Sequence, residues 1–136
     1  MSTASWPLQQ AIYATLSADP GVLDLIGEPR IYDDVPQAAP FPYLTLGQSS
    51  VRDWSSVGDT AEEHILTLHV WSRASGRKET HLIMGALREA LHDRPLAVTG
   101  HRLVNLRHEF SDARRETDGE TYHGIVRLRA VTEPAA

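Results

Sequence analysis

Seven histidines are the one unusual count in this 136-residue chain, and imidazole is the side chain best suited to metal ligation or proton transfer near neutral pH. Their spacing decides how far that chemistry goes. His64 and His69 fall on one alternating segment at an odd separation, so a regular strand points them to opposite faces. His108 and His123 flank a charged hairpin, and symmetry about residues 115–116 sets His123 opposite residue 108. That is the one pairing a metal enzyme would be built on. No third ligand is placed beside it, so a small His-dependent metal enzyme is the minor alternative. The carboxylate pairs Asp33-Asp34 and Glu62-Glu63 are adjacent and diverge on extended chain, which suits solvated edges better than acid–base work. Gly21, Gly27, Gly47 and Gly58 are isolated, so no phosphate-cradling loop forms, and no G-x-S-x-G elbow is present. The absence of cysteine excludes a disulfide framework, a thiolate metal site and a Cys nucleophile. The expectation is therefore no catalytic residue, no cofactor and no bound metal.

The elements that position these side chains can be read from periodicity. Leu8, Ile12 and Leu16 make one apolar stripe on a helix over about 7–18, with Pro7 near its start. Asp19-Pro20-Gly21 stops it, and Asp19 is placed to cap a short second helical turn that buries Val22, Leu23, Leu25 and Ile26 and ends at Gly27. Four prolines in 28–42 leave room for at most a short edge strand near Arg30–Asp33. Strands follow at 43–52 and 62–72, joined by a polar loop over 53–61. The second strand alternates Leu66, Leu68 and Val70 with Ile65, Thr67, His69 and Trp71, so both of its faces are expected to be at least partly covered. Leu82, Ile83, Ala86, Leu87, Ala90 and Leu91 mark a helix over 76–92, closed by Asp93-Arg94-Pro95. Strands at 102–110 and 121–132 flank a charged hairpin, 111–120, that carries an Asp-Gly turn signal, and residues 133–136 read as a fraying tail. The whole, residues 1–136, is one α+β domain: a mainly antiparallel sheet of four to five strands with two principal helices packed on one side.

Composition narrows the function. Apolar residues are 41 % and charged residues 23 %, which fits a folded core. The net charge of −5 argues against a protein that coats DNA phosphates. No segment approaches the ~20 apolar residues of a membrane-spanning helix, and no signal peptide is read at Met1–Pro7, so a chain made in a reducing cytoplasm is expected. Three features favour assembly. Trp54 lies in a polar loop, where it either anchors a partner or folds back on its own domain. Ile65, Trp71 and Ile125 sit on the sheet face opposite the main apolar one, and either a partner or the N-terminal helix covers them. The hairpin 111–120, rich in Arg and Glu, either projects to a neighbour or is a solvated turn.

Several segments also resemble a known family. These are Ala11–Asp19 (AIYATLSAD), Arg30–Pro36 (RIYDDVP), Pro40–Gly47 (PFPYLTLG), Leu66–Ser72 (LTLHVWS) with Gly76-Arg77, Ala90–His92 (ALH), and Tyr122–Ala130 (YHGIVRLRA). In this order they are similar to the small phage tail-completion or tail-terminator proteins of siphophage and gene-transfer-agent gene clusters, over about residues 8–132. The resemblance implies a subunit that forms a ring, usually a hexamer, at the head-proximal end of the tail tube. Such a ring ends tube polymerisation and meets the head-completion (stopper) protein. It lets DNA pass through its lumen without sequence-specific binding, in a virion assembled in a bacterial host's cytoplasm. The runner-up is another head–tail connector or neck component. Head-to-tail ring closure needs two complementary patches per subunit. The expected interface residues are Arg52, Trp54, Asp59, Glu62 and Glu63 on one side and Arg114, Arg115 and Glu116 on the other, with the acidic 59–63 segment meeting the neighbour's arginines.

Overall fold

The computed structural model describes residues 3–135. The chain runs α1 (Ser5–Ala18), α2 (Pro20–Ile26), β1 (Ile31–Tyr32), β2 (Tyr43–Asp53), β3 (Glu62–Ser72), α3 (Lys78–Leu91), β4 (His101–Arg115) and β5 (Tyr122–Pro134). The five strands form one sheet in the order β1-β2-β3-β5-β4. Only β1–β2 is parallel; β2–β3, β3–β5 and β4–β5 are antiparallel. The α+β class and the mainly antiparallel sheet match the expectation. The helical turn after Asp19 is a full helix, α2, so three helices pack rather than two.

Local chemistry explains the boundaries. The Asp19 carboxylate accepts from the Val22 N–H at 3.0 Å and caps α2. Gly27, at φ 85°, ends that helix in a conformation that a β-carbon disfavours. The start of α1 is capped from a distance: the Ala4 N–H donates to the Glu62 carboxylate at 3.0 Å, placing an anion at a helix N-terminus.

Even-numbered residues of β3 and β5 point to the helices. Leu66, Leu68, Val70, Val126, Leu128 and Ala130 pack against Leu8, Ile12 and Leu16 of α1, Val22 and Ile26 of α2, and Ile83, Leu87 and Leu91 of α3. Gly124 lets α3 sit close, since a β-carbon there would lie 2.8 Å from Thr80 Cγ2. His64 belongs to this face. It is buried, its Nε2 lies 2.9 Å from Thr132 Oγ1, and burial holds it neutral by pushing its pKa down.

One expectation is corrected here, and one of two open alternatives is excluded. Strand β4 continues through the charged segment to Arg115, so the turn occupies only 116–121. The hairpin is thereby shifted: His123 faces Arg114, and His108 faces Leu128. The register break at His108/Phe110 takes back only one residue of this displacement. The His108–His123 pair therefore does not form, and the metal-enzyme alternative loses its basis. The excluded alternative concerns coverage. No described helix lies on the odd-numbered face of β3, so α1 does not cover Ile65, Trp71 or Ile125.

Candidate functional site

That helix-free face is built from cross-strand rows. Reading across β2, β3, β5 and β4, the row Tyr43, Trp71, His123 and Arg114 lies at one end, and Thr45, His69, Ile125 and Asp112 lie beneath it. Toward the other end, Arg52 pairs with Glu63, and Arg129 pairs with Ile65 on one side and Arg107 on the other. On β3 and β5 alternation sends these odd-numbered side chains to one surface, while the register shifts at Leu46/Ser49 on β2 and His108/Phe110 on β4 switch parity so that Arg52 and Arg107 join them.

At the second end, Glu63 is only 7 % exposed although it is a carboxylate on a face without helices. Arg129 Nε donates to its Oε2 at 2.7 Å and Arg52 Nε to its Oε1 at 2.5 Å. These two bonds, Arg129 first, hold the Glu63 carboxyl below its ordinary pKa. Trp54 closes the group from above: the guanidinium carbons of Arg52 and Arg129 lie 4.9 and 5.3 Å from the centre of its ring. Trp54 therefore turns back onto its own sheet and shields this ion cluster.

At the first end, aromatic rings form a continuous layer. Trp71 and His123 stack at 3.9 Å between centroids with planes 10° apart. Tyr43 stacks on Trp71 at 6.5 Å, and Phe41 packs on Tyr43 at 5.0 Å. Trp71 Nε1–H donates to Thr45 Oγ1 at 3.1 Å. Within this layer His69 Nδ1 lies 2.6 Å from His123 Nε2, and His123 Nδ1 lies 2.7 Å from Glu116 Oε1. Burial, followed by the neighbouring His123, pushes the pKa of His69 down. Gly47 makes room for this ring, because a β-carbon there would lie 2.5 Å from His69 Nε2. The turn next to Glu116 is stiffened by Asp118, which accepts from Thr121 Oγ1, Thr121 N–H and Glu120 N–H. Those bonds, with the Thr121 hydroxyl foremost, lower its pKa to about 2.

The expected interface residues separate accordingly. Arg52, Trp54 and Glu63 come together as one cluster in which Glu63 is buried while Arg52 and Trp54 stay exposed. Glu62 faces the helix side, where it caps α1 and accepts from Thr3 Oγ1. Glu116 is engaged with His123. Arg114 pairs with Asp112 at 3.1 Å, and Arg115 Nε donates to the Gly119 carbonyl. Asp59 lies exposed in the β2–β3 turn beside Val57, which is fully exposed. Within the 59–63 segment Glu62 and Glu63 are thus engaged inside the subunit, and Asp59 is the exposed carboxylate. The His69–His123–Glu116 line escaped detection in the sequence. Its only trace was that His69 and His123 share a parity with Trp71 and Ile125, and the β3–β5 register that joins them is non-local.

The sheet edges complete the surface. The upper half of β2 is covered where β1 pairs with Leu44 and Thr45. The lower half has no strand beside it among the described residues. There the Trp54 N–H donates inward to Ala61, so by alternation Val51 and Asp53 turn their N–H groups outward. On β4 the lower half is covered by the end of α3: Asp93 N–H donates to the Leu106 carbonyl, and the His108 N–H donates to His92 Nδ1. The upper half is open, and since the Glu116 N–H turns inward to Thr121, Ala113 and Arg115 turn outward. The molecule thus has two free half-edges of different sequence, at opposite ends of the sheet. Among the described residues no group of three or more His, Cys, Asp or Glu side chains is arranged to hold a metal ion.

The tail completion protein gp17 family model matches residues 10–133. The chain is 26 % identical over 126 residues to tail completion protein gp17 of Bacillus phage SPP1, covering 93 % of this chain and 92 % of the relative. A chain in the virion of a native gene transfer agent particle superimposes with a TM-score of 0.88 at 28 % identity, covering 98 % of this chain and 99 % of that one. With a match spanning nearly all of its sequence, and a fold shared across its whole length with a virion component, this chain belongs to the tail completion protein gp17 family.

Proposed function

We propose that this chain is a structural subunit of a phage-type tail that joins copies of itself into a ring, six in number, at the head-proximal end of the tail tube. The ring ends polymerisation of the major tail tube protein and offers its far side to the head-completion (stopper) protein. DNA passes through the lumen without base-specific contacts. The protein acts in the virion, after assembly in the host cytoplasm, and it acts by fitting beside neighbours rather than by turning over a substrate.

The observation that carries this reading is the pair of dissimilar free half-edges. A head-to-tail ring needs two different complementary surfaces on each subunit. Strands β2 and β4 run in opposite directions, so the lower half of β2 on one copy can meet the upper half of β4 on the next as an antiparallel pair. Unpaired edges of this kind are templates for strand addition and are normally shielded. In such a pairing Arg114 and Arg115 lie at the contact, and Arg52 comes near the neighbour's Asp112. Repeated around a ring, a net charge of −5 per copy gives a negative assembly that resists holding DNA.

The test is tail length in a particle-producing strain. Deletion should give overlong tubes without heads. Val51→Pro removes one outward N–H from the free half of β2 while leaving the β3 ladder intact, and it should give the same tubes with a folded monomer. Normal-length, head-bearing tails in the deletion strain refute the termination role. Normal tails with Val51→Pro alone refute the edge pairing.

A further inference from the structure

We propose that His69, His123 and Glu116 form a proton-operated clasp that ties the β4–β5 turn to the aromatic layer of the sheet, holds through one added proton and opens on the second. The argument starts from hydrogen count. At 2.6 Å, His69 Nδ1 and His123 Nε2 share a single hydrogen. In the neutral pair, His69 Nδ1–H donates to His123 Nε2, and His123 Nδ1–H donates to Glu116. One added proton is accommodated. His123 then donates from both nitrogens, to Glu116 and to His69 Nδ1, and His69 carries its own hydrogen on Nε2. The Glu116 carboxylate balances the imidazolium. A second proton puts an N–H on both facing nitrogens and a positive charge on both rings. No rotation of either ring restores the bond, so the rings must part.

The surroundings determine what moves. His123 is held face to face with Trp71, and His69 is seated over Gly47, where its Nε2 end is closely confined. The charged and titratable groups facing this corner are Tyr32 from β1, Tyr43 from β2, Arg73 just after β3, Arg114 and Asp112 from β4, Arg127 from β5, and Glu116 with Asp118 in the turn. Arg73 is committed to Asp118 and Glu120, and Arg114 to Asp112, so neither is a ready counter-ion for His69. Burial disfavours a charged His69 as well. The inference is independent of ring formation, because every member lies within one chain.

The experiment uses the isolated full chain carrying Trp6→Phe and Trp54→Phe, so that fluorescence reports Trp71 alone. Histidine ring nuclear magnetic resonance, Trp71 emission and hydrogen exchange over 116–121 are followed from pH 8 to 4. The expected result is a cooperative change in Trp71 emission, with at least a several-fold rise in exchange at 116–121, below the ordinary histidine range. Far-ultraviolet circular dichroism should stay native through that step. His69→Asn should abolish the step while leaving the fold intact, and His69→Gln serves the same purpose should the shorter side chain unfold the face. Gly47→Ala should displace His69 and raise turn exchange at neutral pH. A flat Trp71 signal in the parent chain overturns the proposal. So does an identical step in both His69 variants.

Discussion

Replacing Gly124 with alanine tests how α3 is seated on the sheet. The added β-carbon would lie 2.8 Å from Thr80 Cγ2, 2.9 Å from Met84 Sδ and 3.1 Å from Met84 Cγ. Carbon atoms pack best at about 3.5–4.0 Å, so the approach to Thr80 is short by close to 1 Å. Met84 is flexible and can swing aside. Thr80 is β-branched and fully buried on α3, and its methyl cannot retreat without moving the helix. Overpacking of this kind costs about 1–3 kcal/mol. Removing a glycine from the unfolded chain offsets about 0.4–1 kcal/mol. The net loss should be about 1–2 kcal/mol, read as a lower urea midpoint at unchanged slope, or as a fall in Tm of about 3–8 °C. Thr80→Ala removes the obstructing methyl together with a buried hydroxyl that has no hydrogen-bond partner. In that background Gly124→Ala should cost less, with a coupling of about 1 kcal/mol. Equal stability of Gly124→Ala and the parent, or strict additivity with Thr80→Ala, would refute the close-packing argument.

Two further outcomes follow from named contacts. Asp19→Ala removes the side chain that caps α2 and should destabilise the chain by about 1 kcal/mol in urea denaturation, with Asp19→Asn losing less. Glu63→Gln removes the charge that Arg129 and Arg52 share. Because the folded-state pKa of Glu63 is depressed below 4.5, its stabilisation is complete above that value and is lost as pH falls through the lowered one. The variant should therefore be less stable than the parent at pH 7, and the gap should narrow toward pH 3. A gap that stays constant with pH would count against the ion cluster.

Short-range patterns were enough to delineate most elements. The 3.6-residue stripe Leu8, Ile12, Leu16 and the paired apolar positions from Leu82 to Leu91 mark helices without outside help, and Asp19 and Gly27 mark ends because capping is local. The alternation through Glu62–Ser72 marks β3 to the residue. Family membership was also legible, in the ordered segments from Ala11 to Ala130, and the family model confirms it.

What the linear order could not decide was pairing. The charged run 111–115 reads as loop because its side chains are solvated, yet its backbone completes a ladder with β5, and that shift of the turn separates His108 from His123. Trp54, Glu62 and Glu63 look like outward-facing surface until register sets Arg52 and Arg129 on either side of Glu63 and brings the N-terminus of α1 to Glu62. His69, His123 and Glu116 come together only through β3–β5 pairing and the position of the turn. The physical reason is the same throughout. Helical stripes, caps and strand alternation are set by neighbours a few residues away, whereas the partners of a strand are fixed by the energy of the whole folded sheet, and with them the identity of every group a charged side chain will meet.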